Sequence, residues 1–269
     1  MSKIVSEIKC DSLALSTNPE LWTAVIPAAG KGSRLGYDQP KILYPLLGRT
    51  IMDWVLDALR PVCSRYVFVA SPSGRESIEK EVKKRLGDAA QVIVQESPTG
   101  MGDAVLCAKS AVHTPNTLVV WGDQITLSQH TVSRCAGLHE KRKEALLTLP
   151  TILKPQPYIH IVRDSTGRII EVQQAREQTI AQDIGESDCG LFMFSSDALF
   201  SVLDYAEKNN IGFGLKTKEF NLLQVIPRFE ISSNAVETLR ISDINETLGV
   251  NTLDDAQRAE SILRKRSFT

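Results

Sequence analysis

Apolar runs of strand length alternate with helix-period patterns through the first half of this chain. Trp22–Pro27 reads as a buried strand. Thr50–Arg60 follows as a helix, with Ile51, Trp54, Val55 and Leu59 on one face. Thr50 stands where an N-cap is needed, with Asp53 three residues on. Tyr66–Ala70 is a second strand, and Ser77–Leu86 a charged helix that turns Ile78, Val82 and Leu86 inward. Gln91–Val94 and Leu118–Trp121 are strands on either side of a helix at Gly102–Ala111. A helix at Leu127–Leu138 and a strand at Ala145–Leu149 close this half. Strands that alternate with helices predict parallel βαβ units in a doubly wound sheet.

Beyond residue 150 the pattern shortens. Tyr158–Val162 and Ile169–Gln173 predict a hairpin around Asp164–Gly167, and Gly190–Phe194 a further strand. Ser196–Lys208 and Lys218–Ile226 have helical periodicity, Thr238–Ile241 reads as a strand, and Leu253–Arg266 as a closing helix. The expected class is therefore α/β. It is a Rossmann-like, doubly wound mixed sheet with a small β-hairpin subdomain folded onto it. Residues 1–20 read as an N-terminal extension. Residues 21–269 read as one domain with parts at about 21–150 and 151–250 and the closing helix at 253–266.

The loop after the first strand changes the picture from fold to chemistry. AVIPAAGKGSRLG runs from Ala24 to Gly36, and QPKIL follows from Gln39 to Leu43. Gly30 and Gly32 let the backbone approach a ligand closely. Successive N–H groups in such a loop make an anion-binding concavity. Lys31, Arg34 and Lys41 add three cations within about eleven residues, which suits a polyphosphate better than a single phosphate. The loop is not the common P-loop, whose G-x-x-x-x-G-K-[ST] is absent, nor the G-x-G-x-x-G dinucleotide fingerprint, because Gly36 falls one residue late. Ligands in doubly wound sheets bind at the carboxyl ends of strands. The glycine loop, Gln95 and Asp123 each follow a predicted strand, so they gather at one sheet edge.

Composition removes several alternatives. A net charge of −1 over 269 residues leaves no basic field for nucleic acid or an anionic membrane. Five cysteines, scattered and without a CxxC pair, describe no disulfide framework and suit a reducing cytoplasm. No apolar run approaches the ~20 residues of a membrane span, and Met1–Pro19 lacks a signal-peptide core.

These residues resemble the signature of the sugar-1-phosphate nucleotidyltransferases, A-A-G-x-G-[ST]-R-[ML]-x(4-6)-P-K. The likeness is greatest to the uridylyltransferase domain of N-acetylglucosamine-1-phosphate uridylyltransferases. Gln95–Ala104 is similar to the family's base-binding Q-x(4)-G-x-G-x-A, and Val119–Asp123 to its metal-binding strand end. Asp188-Cys189-Gly190 stands where the family has N-T-G, and Glu246–Asn251 is similar to its closing G-V-N. The likeness runs over about residues 22–266. The acyltransferase repeats that often follow this domain are absent, so acetyl transfer is not expected.

The resemblance implies nucleotidyl transfer from a nucleoside triphosphate, UTP first, to a sugar 1-phosphate with Mg²⁺ as cofactor. The phosphate nucleophile is already anionic, so no strong base is needed. Ala28, Ala29 and the Gly30–Ser33 amides, Gly32 among them, would hold the phosphates, with Lys31 and Arg34 on the β- and γ-phosphates. Lys41 would lie nearer the α-phosphate. Lys31, Arg34 and Lys41 are thus the expected catalytic cations. Gln95 and the Gly100 backbone would meet the base. Asp123 and Asn251 would be the metal ligands.

On the acceptor side the resemblance implies Tyr158, His160, Gln174, Arg176 and Asp188, whereas His113, His130 and His139 read as surface residues. Departures gather here. Lys154–His160 replaces a P-x-G-Y-G-R-like turn, Asp188 replaces an asparagine, and Gln174 and Arg176 stand near an expected glutamate and lysine. Pro98 and Met101 replace polar residues beside the base. The acceptor therefore stays open. CTP with an alditol phosphate or phosphocholine is one alternative, and a non-catalytic nucleotide-binding or regulatory protein another. A dinucleotide-dependent oxidoreductase needs an acidic residue at a strand end about twenty positions on, and Asp53 falls inside a helix instead.

Overall fold

The structure, a computed structural model, describes residues 17–266. Most of the expected N-terminal extension lies outside them. The chain enters through strand β1 (Trp22–Pro27), passes the glycine loop, and forms a tight hairpin of β2 (Pro45–Leu46) and β3 (Arg49–Thr50) before helix α1 (Ile51–Leu59). Thr50 caps α1 through a complete capping box. Its hydroxyl accepts from the Asp53 N–H at 3.2 Å, and Asp53 Oδ2 accepts from the Thr50 N–H at 2.9 Å. Strand β4 (Arg65–Ala70), helix α2 (Arg75–Leu86), strand β5 (Ala90–Val94), helix α3 (Met101–Cys107) and strand β6 (Asn116–Val120) continue the alternation. Helix α4 (Gln129–Lys141) starts two residues later than its periodicity suggests, because Ser128 accepts from the Thr131 N–H and sets the cap.

β7 (Leu147–Pro155) is longer than expected, and β8 (Ile159–Arg163) with β9 (Ile169–Gln174) forms a separate hairpin. β10 (Ile184–Asp188), β11 (Leu191–Ser195), α5 (Ser196–Lys208), α6 (Leu222–Val225), β12 (Val236–Arg240) and α7 (Leu253–Arg266) complete the chain. The central sheet runs β10-β7-β11-β6-β1-β4-β5, with β12 paired to β7. β1, β4, β5 and β6 are parallel, whereas β11 runs antiparallel to both β6 and β7. The winding leaves β1 first toward β4 and later toward β6, so the glycine loop emerges at the switch point of the sheet.

Alternation along each strand sorts side chains to two faces. Ala24 and Ile26 of β1, Phe68 of β4, Val120 of β6 and Met193 of β11 lie under α1, α2, α4 and α7. Val25, Val67, Val119, Phe192 and Phe194 lie on the other face with α3, α5 and α6. Strands covered on both sides read as continuous apolar runs, which is why the pattern identified them. Each fully buried aliphatic or aromatic side chain contributes roughly 1.5–3 kcal/mol.

Two expectations are corrected. The helix expected from Lys218 begins only at Leu222, since the Phe220 N–H donates to Thr99 O at 2.7 Å and Phe220 O accepts from Gly102 at 2.8 Å. These long-range backbone bonds hold 219–221 out of a helix. His139 is buried rather than on the surface. It packs edge-on against Trp22, with Nδ1 2.9 Å from the Thr148 hydroxyl. Burial lowers its pKa to about 4.

Candidate active site

A cleft of about 610 Å³ opens at the carboxyl ends of β1, β5 and β6. One wall of it is the glycine loop. Gly32 is needed there because a Cβ would stand 2.7 Å from Tyr37 O and 2.8 Å from Gln39 O. The loop folds back through the Lys41 N–H to Gly30 O bond, 3.0 Å, which brings Lys41 over the cleft.

Three distant parts of the chain meet at the Lys41 ammonium. It donates to Asp123 Oδ2 at 2.5 Å and to Asn251 Oδ1 at 2.9 Å. Asp123 is placed by the turn after β6, where Gly122 passes so close to Pro27 O that a Cβ would sit at 2.5 Å. Asn251 is brought there by the Val250 N–H to Asp123 O bond, 3.1 Å. Thr252 and Asp255 cap α7, and Asp255 also accepts from the Asn251 N–H at 3.1 Å. The capping duty thus falls on Asp255 and Thr252, and the Asn251 amide oxygen is left for Lys41 and for Arg34 Nη2, 3.2 Å away.

A second wall follows β5. Gln95 is buried, and its Nε2 donates to Gly100 O at 3.0 Å and Asp103 Oδ2 at 2.6 Å. Both amide hydrogens are used, so only the carbonyl oxygen remains for a ligand. Gly100 has φ +124, and a Cβ there would lie 2.3 Å from Phe220 O.

On the opposite side Tyr158, Gln174, Arg176 and Asp188 line the cleft. Arg176 donates to Gln174 Oε1, Glu219 Oε2 and Asn221 Oδ1 at 3.2, 2.8 and 2.9 Å. Burial pushes the Asp188 carboxyl up from the ordinary aspartate range, opposed by the Gly190 N–H that donates to Oδ1 at 2.6 Å.

Of the expected residues, Ala28, Ala29, Gly30, Lys41, Gln95, Gly100, Asp123 and Asn251 also line this cleft. Lys31, Gly32, Ser33 and Arg34 lie on the loop behind it, with Lys31, Ser33 and Arg34 exposed. His160 faces β10 instead. Its Nδ1 is 3.3 Å from Glu186 O and would be 2.4 Å from a Cβ at Gly185. Gln124, Lys154, Glu219 and Asn221 also line the cleft without being singled out from the sequence as site residues. Gln124 follows Asp123 directly, and adjacency was the only signal for it. Asn221 was concealed by the helical pattern around it.

Asp123 and Asn251 offer one carboxylate and one amide oxygen, and a cation, the Lys41 ammonium, already sits against both. Such a pair fits a hard divalent ion that takes its other ligands from phosphate and water. Among the described residues no group of three or more His, Cys, Asp or Glu is arranged to hold a metal by itself.

A fold wound this way, with a cation-bearing glycine loop at its switch point, defines a nucleotide-binding α/β protein. The chain belongs to the MobA-like NTP transferase domain family, whose model matches residues 24–187. It is 28% identical over 247 residues to the bifunctional protein GlmU of Syntrophotalea carbinolica, covering 90% of this chain and 51% of that protein. It is 30% identical over 248 residues to GlmU of Heliobacterium modesticaldum, covering 91% and 52%. The chain spans about half the length of these curated relatives. The inositol-1-phosphate CTP transferase from T. maritima shares the fold, with a TM-score of 0.68 at 17% identity over 93% of this chain and 97% of that one.

Proposed function

We propose that this chain catalyses nucleotidyl transfer from a nucleoside triphosphate, UTP first, to a sugar 1-phosphate, releasing pyrophosphate. An oxygen of the acceptor phosphate forms a bond to the α-phosphorus. The bond from that phosphorus to the bridging oxygen breaks, and pyrophosphate leaves with the electron pair. No proton need be removed from the nucleophile, so positioning and charge stabilisation carry the rate.

The observation that carries this reading is the meeting of Lys41, Asp123 and Asn251 between the base-side and acceptor-side walls of one cleft. Lys41 stabilises charge developing at the α-phosphate. Lys31 and Arg34, on the loop behind, take the outer phosphates, with the Gly30–Ser33 amides beside them. Asp123 and Asn251 would hold Mg²⁺, which when bound neutralises phosphate charge. Gln95 presents its carbonyl to an N–H on the base. Residues 21–150 form the nucleotide part and 151–250 the acceptor part, with α7 returning Asn251 to the first.

A CTP-dependent reaction with another polyol phosphate is the second reading. The Gln95 carbonyl favours it equally, because uracil N3–H and the cytosine amino group both present a donor. The relative described as an inositol-1-phosphate CTP transferase acts within the same fold. The test is pyrophosphate release with Mg²⁺, crossing four triphosphates with sugar phosphates, alditol phosphates and phosphocholine. Lys41→Ala is expected to lower turnover by roughly 10²–10³ while the triphosphate still binds. Triphosphate binding without release from any pair would favour a binding protein, and the absence of both would sink the transferase reading.

A further inference from the structure

The amide of Gln95 carries a more specific statement, which rests on the transferase reading. A glutamine can show a base either its carbonyl or its N–H groups, depending on how the amide is turned. The Gln95 backbone is fixed, because its N–H extends the β4–β5 ladder by donating to Ala70 O at 2.9 Å. Only the side chain is free to turn, and its Nε2 donates to Gly100 O at 3.0 Å and to Asp103 Oδ2 at 2.6 Å. Turned by half a rotation, the amide would set Oε1 against a carbonyl and a carboxylate oxygen, lone pair against lone pair. A carboxylate only accepts hydrogen bonds, so Asp103 has no donor with which to hold the turned form.

Asp103 lies in the first turn of α3 and is not among the residues that line the cleft. Its own place is well determined. The Thr99 hydroxyl donates to the same Oδ2 at 2.6 Å. On either side of it along the chain, the Gly102 N–H donates to Phe220 O at 2.8 Å and the Ala104 N–H to Gly100 O at 3.1 Å. The turn packs so closely on Phe220 that a Cβ at Gly102 would stand 2.9 Å from Cδ1 of that ring. Position 103 is a variable one in the Q-x(4)-G-x-G-x-A pattern that Gln95–Ala104 resembles, so the likeness assigns Asp103 no part. Pro98 and Met101 line the cleft close by and bring no side-chain donor that could take over from Gln95.

We propose that Asp103 is a positioning residue: acting through Gln95, it fixes a hydrogen-bond acceptor toward the base and makes the cleft select between uracil and cytosine. Uracil carries N3–H and O4 where cytosine carries a bare N3 and an amino group. At either place a fixed acceptor meets an N–H in one base and a lone pair in the other. An unrestrained amide would turn and serve both. The locked amide serves one and rejects the other, as a site built for a particular hydrogen bond rejects the ligand that cannot make it.

The whole chain is titrated calorimetrically with UTP and with CTP in the presence of Mg²⁺. The unaltered chain is expected to separate the two Kd values by roughly tenfold or more. Asp103→Ala leaves Gly100 O as the one remaining partner of Nε2, and is expected to narrow that ratio toward one, chiefly by improving the disfavoured pyrimidine. Asp103→Asn keeps an oxygen for Gln95 and Thr99, since Gly100 O still requires Nε2, and is expected to hold the ratio within about threefold of the unaltered chain. Thr99→Val, on an exposed loop residue, removes the second bond on Oδ2 and is expected to narrow the ratio by a smaller factor, which gives an answer even where Asp103→Ala folds poorly. A role confined to fastening the loop would weaken UTP and CTP by the same factor in every variant. Equal affinity for the two in the unaltered chain, or a ratio untouched by Asp103→Ala and Thr99→Val, overturns the lock and leaves the transferase reading standing. Absence of binding by any triphosphate removes the transferase reading, and the lock with it.

Discussion

His139 sits between Trp22 and Thr148 with its imidazole withdrawn from water, and this gives it a measurable part in acid sensitivity. Burial lowers its pKa from 6.5 to about 4, so the fold prefers the neutral ring. Between those values the unfolded chain takes up a proton that the folded chain does not, and stability must fall as pH falls. The loss reaches roughly 3 kcal/mol by pH 4 and is absent above pH 7. Asp53 acts in a separate window. The Arg85 guanidinium and the Thr50 N–H outweigh burial and hold its carboxyl well below the ordinary 3.8, so its contribution is lost only in stronger acid. Urea unfolding of wild type and His139→Gln at pH 7.5 and 4.5 isolates the imidazole. The variant is expected to be less stable at pH 7.5 and to lose less on acidification. Equal losses would show that the ring titrates normally.

At the scale of elements, the loop after β5 and the opposite wall of the cleft are one construction. The Phe220 backbone bonds to Thr99 and Gly102, while the next residue, Asn221, meets Arg176. Gly100→Ala would force a Cβ into the Phe220 peptide from a backbone at φ +124. We expect a loss of about 2 kcal/mol or more, with triphosphate affinity and acceptor KM impaired together. Denaturant midpoints and both binding curves check this, and impairment of one ligand alone would separate the two walls. The same contact explains what the sequence left hidden. Ser196–Lys208 and Leu253–Arg266 were legible to the residue because their apolar faces repeat with a helical period. The segment from Lys218 has that period too, yet pairing with residues some 120 positions earlier overrides it. β10 escaped notice because Gly185, Glu186 and Ser187 carry no apolar signal, although β7 pairs with each of them. The candidate site divides in the same way. Lys41, Gln95 and Asp123 follow strands within recognisable motifs, whereas Gln124 and Asn221 belong to no motif and are found only by what they touch.

The whole molecule closes a circuit at Lys41, since its partners Asp123 and Asn251 lie 82 and 210 residues away along the chain. Asn251 arrives with α7, which packs Ala259 and Leu263 into the core beneath the sheet. In the free protein the Lys41 ammonium satisfies both oxygens that a divalent ion would use. A metal ion alone must displace that ammonium with nothing to receive it, whereas a polyphosphate offers Lys41 a new partner and frees the pair. Magnesium chloride alone is therefore expected to leave the melting temperature unchanged. Triphosphate alone is expected to raise it, and the two together to raise it further. At a hundredfold excess over Kd the combined stabilisation is about 2.7 kcal/mol, or roughly 5–10 °C for a chain of this size. Chelation with EDTA should return the triphosphate-only value. Asn251→Ala should retain the triphosphate shift and lose the metal-dependent increment. An equal rise with metal alone would mean that the ammonium yields without nucleotide, and the coupling between the loop, the β6 turn and the α7 cap would then be structural only.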